Sequence, residues 1–428
     1  MRCPSRLYPT LPLCYNPHRF PIFPRESTLT HAPPLIATFD QEDAIFEQAF
    51  SVLRGAIEQR AFPAASISVT HHDQLIALKS FGSIIPADDL VPVTPATLFD
   101  VASLTKPIAT TTAAALLYER GLLELDAPII GVIPEFLVDS CGVPDPRRPE
   151  VTFGMLLAHS SGVPAYEKLF LKAQSREDLL VAAFTTPLSA GPGTRAEYSD
   201  IGFILLGAAL ERLTGESLDA FCQREIFGPL AMTNTTFNPP KEIRNKIPPT
   251  ADERQESPDQ CGADAPAREL PPPSQPPSAS RSTFRNRIIQ GEVQDENASV
   301  LGGVAGHAGL FSTAEDLARF AHAMLQGGSP ILRPETIALF TRRESAPAAT
   351  SRALGWDTPS VPSQSGKYFG PRSFGHLGYT GTSLWIDPDR QLSIALLTNR
   401  TWPDCANQAI KQIRPRFHDA VVEALPAD

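Results

Sequence analysis

Apolar positions in residues 40–60 recur with a helical period: Ile45, Ala49, Val52 and Ala56, with Phe46, Phe50, Leu53 and Ile57 beside them. The spacing predicts an amphipathic helix that stops before Pro63. Acidic residues fill its first turn, where the helix dipole favours them. The pattern then changes, and Ala65–Val69 and Leu75–Phe81, separated by His71-His72-Asp73, predict the two strands of a hairpin. From about 103 to 245 the chain reads as helical, most clearly at Thr110–Arg120, Asp178–Phe184, Gly202–Leu213 and Leu218–Phe227.

Beyond this middle, the glycine-rich stretch Gly302–Thr313 runs into a helix over Ala314–Gln326. Thr313 is its expected N-cap, with Asp316 three positions on. Thr382–Ile386 and Gln391–Thr398 flank Asp387-Pro388-Asp389-Arg390 and predict a second hairpin. A last helix covers much of 406–425, begun or kinked at Pro415. Strands near both ends with helices between them predict an α+β fold. One antiparallel sheet, built from N- and C-terminal segments and flanked by helices, would carry the helical middle as an inserted domain. The expected division is an α/β part over 39–102 and 286–425 and a helical part over 103–247.

Composition modifies this picture in two places. The 428 residues include 43 prolines, concentrated in the first forty positions and in Pro248–Ser282, with Pro271-Pro272-Pro273 and Pro276-Pro277. Residues 1–38 are therefore expected to be a poorly ordered tail and 248–285 a proline-rich disordered insertion. Pro4, Pro9, Pro12 and Pro17 interrupt any apolar run that could serve as a signal peptide, which makes a cytoplasmic location the default expectation. A net charge of −10 argues against a nucleic-acid surface. No uninterrupted apolar stretch is long enough for a membrane-spanning helix. The cysteines, Cys3, Cys14, Cys141, Cys222, Cys261 and Cys405, show no CxxC or metal-like spacing. Neither a disulfide framework nor a metal or other cofactor is expected.

Three short segments carry candidate chemistry. In Ser103-Leu104-Thr105-Lys106 the serine and lysine are three apart, alone among the lysines of the chain. On a helix such positions share a face, so a desolvated lysine could take the proton that makes serine a nucleophile. The plainer reading is a capping serine followed by a surface lysine. Tyr198-Ser199-Asp200 precedes an apolar helix. Tyr198 beside a protonated lysine would have a lowered pKa and could shuttle a proton, while Asp200 would cap the helix. Gly375-His376-Leu377-Gly378-Tyr379-Thr380-Gly381-Thr382 leads into a strand, and its glycines admit close backbone approach. A strand edge beside a nucleophile can lend an N–H to an oxyanion.

Taken together, and in this order, the segments resemble the serine β-lactamase and penicillin-binding-protein superfamily, with its S-x-x-K, Tyr-x-Asn and K-T-G motifs. Leu156–Gly162 (LLAHSSG), Gly303–Thr313 (GVAGHAGLFST) and Thr380–Pro388 (TGTSLWIDP) are similar to the class C-related serine hydrolases, and the likeness extends over roughly 40–425. The resemblance implies an acyl-enzyme mechanism on an ester, amide or peptide-like substrate. Ser103 would be the nucleophile, Lys106 its base and Tyr198 a proton relay. The N–H groups of Ser103 and Tyr379 would form the oxyanion hole. Asp200, His376, Leu377 and Gly378 would line the substrate, with His376 where the family usually has lysine. It also allows an exported location.

Three departures limit the substrate: His376 replaces lysine, Leu377 replaces threonine, and Asp200 replaces asparagine. Carboxylate recognition should weaken, and the charge of Asp200 should further disfavour an anionic substrate. An alternative register places Tyr379-Thr380-Gly381 in the third motif. His307 and His159 read as structural histidines and Trp385 as core. An α/β-hydrolase would need a G-x-S-x-G pentapeptide, which the chain lacks, and a metallohydrolase would need clustered ligands. A binding or sensor module that has kept the fold but lost most catalysis is the remaining alternative.

Overall fold

The computed structural model describes residues 34–39, 41–84, 91–254, 284–403 and 405–426. Most of the expected tail and of the proline-rich insertion lies outside the described residues.

Six strands form the main sheet in the order Ile36–Ala37, Gln74–Gly82, Ala64–His71, Leu392–Thr398, Ser383–Asp387, Phe374–Leu377. All pairings are antiparallel except the first, which is parallel. N- and C-terminal segments meet at the centre of the sheet, where Ile67 lies opposite Leu396. The first hairpin turns through His72 and Asp73, both left-handed (φ 45 and 63), as a two-residue turn between twisted strands requires. In the second, the Asp387 carboxylate accepts the N–H groups of Asp389 and Arg390 at 3.0 and 3.2 Å and closes the turn.

Helices cover both faces of the sheet. On one face lie Glu47–Glu58 and Ile410–Ala424. The first buries Ala49, Phe50, Leu53 and Ala56, a stripe at helical spacing, and leaves Ile45 exposed before it. Each large apolar side chain so buried contributes roughly 1.5–3 kcal/mol of transfer free energy. Trp385 is buried against this layer, as expected of a core residue. Pro415 sits inside the last helix rather than at its start. On the other face, Ala314–Leu325 packs on the sheet, capped by the Thr313 hydroxyl, which accepts the Asp316 N–H at 3.2 Å.

The helical middle shares this second core. Its central helix, Asp200–Thr214, is buried on every side through Leu210. The helix expected over Thr110–Arg120 starts earlier, as a π-helical stretch Lys106–Thr111 that continues into Thr112–Glu119. The segment Leu218–Phe227 likewise passes from α to π at Gln223. A small second sheet joins Phe99–Asp100 to Leu310–Ser312 and Thr236–Phe237, so the glycine-rich stretch Gly302–Thr313 ends in a strand. Cys141 and Cys222 are free thiols, whereas Cys405 is disulfide-bonded.

Candidate active site

The small sheet positions Ser103, the candidate nucleophile. After Asp100 the chain turns through Ala102, at φ 48, into a single 3-10 turn that carries Ser103. The Thr105 hydroxyl donates to the Ala102 carbonyl at 2.6 Å and accepts the Leu310 N–H at 3.1 Å, which ties the turn to the neighbouring strand. Ser103 itself is only half-buried, while Leu104, Thr105 and Lys106 behind it are buried. The S-x-x-K segment therefore leaves its serine partly exposed and turns its lysine inward.

Lys106 is fully buried, and its Nζ donates to three oxygens: Asp200 Oδ1 at 2.6 Å, Ser103 Oγ at 3.0 Å and the His307 carbonyl at 3.0 Å. Three acceptors use all three hydrogens of an ammonium, whereas a neutral amine would have only two to give. Burial alone would push its pKa down, but the charge of Asp200, with Tyr198, outweighs burial and holds it above the ordinary lysine value. The expectation of a lysine neutralised by its pocket is thus overturned. Desolvation is present, yet an opposite charge at contact distance wins.

The Asp200 reading changes in the same way. Ser199, not Asp200, caps the helix, its hydroxyl accepting the Gly202 N–H at 2.9 Å. Asp200 is the first helical residue and faces Lys106, so its charge is compensated instead of standing bare beside Ser103.

Close backbone approach makes this arrangement possible. Gly207 and Gly306 face each other, and a Cβ on Gly306 would collide with the Phe203 carbonyl. The glycine-rich stretch can therefore lie directly on the central helix and aim the His307 carbonyl at Lys106. The His307 ring turns the other way, with Nε2 at 2.8 Å from Asp295 Oδ1. The carbonyl of His307, not its ring, thus reaches the site.

Tyr198 is buried among charged and aromatic groups. Lys106 Nζ lies 4.8 Å from its ring centroid and Arg352 Cζ 5.2 Å, while the rings of His159 and His376 lie at 4.7 and 5.9 Å. The expected lowering of its pKa does not occur. Burial raises it, and Asp200 adds to the rise, so the pull from Lys106 is outweighed. His159, at φ 56, accepts the Ser199 N–H on Nδ1 at 3.0 Å. It is the structural histidine expected, and its ring packs against that of Tyr198.

His376 lies on the edge strand Phe374–Leu377 and is buried. Its Nδ1 is 2.7 Å from the Leu377 carbonyl and so carries the hydrogen. Burial, with the charges of Lys106 and Arg352, pushes its pKa well below the usual histidine range, leaving it neutral. Gly378 follows because nothing larger fits: a Cβ there would strike the Val101 carbonyl and the Thr382 hydroxyl. The Thr380 and Thr382 hydroxyls donate to the carbonyls of Asp100 and Val101 at 2.8 and 3.0 Å. These bonds lay the turn bearing Tyr379 against the segment that leads to Ser103. Leu377 and Tyr379 are half-buried.

Two contributors were not singled out from the sequence. Asp100 accepts the Ala102 N–H, and Arg352 stands over Tyr198 with its charge shared with Asp357 at 3.7 Å. An acid three residues before a candidate nucleophile was the available signal for Asp100. Arg352 had none.

The chain has relatives among known proteins. Residues 46–414 match the family model described as Beta-lactamase. The chain belongs to the β-lactamase family. A putative D-alanyl-D-alanine carboxypeptidase of Escherichia coli (strain K12) is 31% identical over 366 residues, 79% of each chain. The N-acetylmuramyl-L-alanine amidase of Bacillus subtilis (strain 168) is 33% identical over 321 residues, 71% of this chain and 68% of the relative. Among solved structures, EstCE1, a hydrolase with promiscuous acyltransferase activity, superposes with a TM-score of 0.68 at 20% identity, covering 89% of this chain and 99% of that one. The β-lactamase/transpeptidase fold expected from the sequence is thereby established, and the protein is a serine hydrolase of this family. Small or peptide-like substrates fit that class. No helix among the described residues is long and apolar enough to cross a membrane.

Proposed function

We propose that Ser103 forms the acyl-enzyme, with Lys106 and Tyr198 moving its protons and Asp200 acting as the charge partner of Lys106. The observation that carries this is the set of bonds from Lys106 Nζ, which joins a half-exposed serine to a buried carboxylate through one ammonium. The resting lysine is charged and cannot accept the serine proton. It first passes a proton to Asp200 Oδ1, then takes the Ser103 proton as Oγ bonds to the substrate carbonyl carbon. The N–H groups of Ser103 and Tyr379 hold the oxyanion. Tyr198 protonates the leaving group and recovers its proton from Lys106, and Asp200 returns its own to Lys106. Water then repeats the sequence on the acyl-enzyme in reverse order of roles.

A mass shift on Ser103 after treatment with a fluorophosphonate or a p-nitrophenyl ester is the expected result, absent in Ser103→Ala. Equal labelling of both proteins would rule the assignment out.

The substrate reading rests on His376 and Leu377. A neutral imidazole and an aliphatic chain replace the groups that would grip a carboxylate, and Arg352 shares its charge with Asp357. Uncharged esters and amides suit this site better than an anionic β-lactam. Nitrocefin should therefore be turned over more slowly than a p-nitrophenyl ester of a short acyl group. The reverse order of kcat/KM would contradict the proposal.

A further inference from the structure

Asp100 ends a strand three residues before Ser103, is buried, and takes no part in the proton transfers described above. Its two carboxylate oxygens have separate tasks. Oδ1 accepts the Ala102 N–H at 2.8 Å, and Oδ2 accepts the Gln294 N–H at 2.7 Å. Ala102 is the residue that must hold a left-handed backbone, at φ 48, for the chain to leave the strand and place Ser103 beside Lys106. An L-residue with a Cβ does not adopt that conformation without compensation.

The second oxygen leads to an anchor. The Gln294 carbonyl accepts Arg285 Nη2 at 2.7 Å, and the Val293 carbonyl accepts Nη1 at 2.8 Å. Arg285 is paired with Glu253 through Nε and Nη2, at 3.0 and 2.5 Å, with both side chains nearly buried. The next residue, Asp295, holds the His307 ring, whose backbone carbonyl receives Lys106 Nζ. The Gln294-Asp295 step therefore braces both members of the Ser–Lys pair, the serine through Asp100 and the lysine through His307.

We propose that Asp100 is a positioning residue for the nucleophile, holding the Ala102 peptide in the left-handed turn and linking it through Gln294 to the Arg285–Glu253 pair. The inference rests on Ser103 being the nucleophile. It makes the ionised carboxylate the working form, because two N–H donors need two acceptor oxygens, and protonation converts one of them to a donor. The charged groups facing Asp100 are Asp295 and Arg285. Burial pushes its pKa up to about 6, against the pull of the two N–H donors, with Asp295 raising it and Arg285 lowering it. Ester hydrolysis should therefore lose activity as pH falls through about 6.

The test compares wild type, Asp100→Asn, Ala102→Gly/Asp100→Asn and Ser103→Ala, all as the full chain. Thermal melting confirms folding, and acylation by a p-nitrophenyl ester and labelling by a fluorophosphonate are followed from pH 4.5 to 8. In Asp100→Asn the amide nitrogen opposes an N–H donor, so kcat should fall on the order of 10²-fold, as for a misplaced reacting group. KM should change little, and the acid limb near pH 6 should disappear. Glycine accepts the left-handed turn without strain, so the double variant should recover about tenfold of the lost kcat. A wild-type kcat and acid limb in Asp100→Asn, or no recovery in the double variant, would overturn the positioning role while Ser103→Ala stays unlabelled. Labelling of Ser103→Ala at the wild-type rate would instead remove the nucleophile, and the positioning role with it.

Discussion

Lys106→Ala is expected to lose about 10³-fold or more in acylation rate, the range a positioned general base supplies, and to lose stability as well. The two losses have different causes. Removing the ammonium leaves the Asp200 carboxylate buried without a counter-charge, and breaking one side of a buried pair costs about 3–5 kcal/mol. Two other acceptors, Ser103 Oγ and the His307 carbonyl, lose their donor at the same time. Lys106→Ala/Asp200→Asn removes both charges, so it should regain most of that stability while remaining catalytically dead. Urea unfolding of the three proteins, alongside burst kinetics with an activated ester, measures the two effects separately. If the single and double variants unfold at the same urea concentration, the ion pair is not the source of the destabilisation.

The same pair fixes a pH dependence. The Lys106 pKa is raised in the folded protein, so folding is favoured by its bound proton. That contribution is fully present below the ordinary lysine value of about 10.5 and is lost as pH rises through the higher folded value. Wild type should therefore weaken at strongly alkaline pH, while Lys106→Ala/Asp200→Asn should lack that component.

Periodicity made the hairpins and the long helices legible, because each depends on residues close in the chain. The Thr313 cap and the Asp387 turn follow from local hydrogen bonding of a few side chains, and the His72-Asp73 turn from a two-residue left-handed backbone. The order and spacing of Ser103, Lys106, Tyr198 and His376 also singled out residues that the fold brings together. What stayed hidden was charge state. Lys106 and Asp200 are 94 positions apart, and whether the lysine is neutral or charged depends on a 2.6 Å contact that only tertiary packing creates. Tyr198 was misjudged for the same reason, since burial and the Asp200 charge outweigh the neighbouring cation. Asp100 was not singled out, because the positioning proposed for it depends on the Ala102 backbone angle and on Gln294, which no spacing rule connects.

Asp200→Asn is the sharpest probe of the charge partner, because it changes one charge and almost no volume. The asparagine can keep a hydrogen bond to Lys106 but no longer holds its proton electrostatically. With Asp200 gone, the largest influence left on Lys106 is burial, which lowers its pKa. In wild type the charged lysine hands its proton to Asp200, so acylation requires no loss of that proton to solvent. In the variant it does, and kcat/KM for ester acylation should rise with pH as Lys106 deprotonates. Wherever Lys106 stays protonated, the variant should acylate on the order of 10²-fold slower, because no carboxylate receives its proton. The buried cation also loses its partner, so stability should fall near neutral pH, and less so at alkaline pH, where the lysine of the variant is already neutral. A rate and pH profile unchanged from wild type would mean that Asp200 does not receive the Lys106 proton.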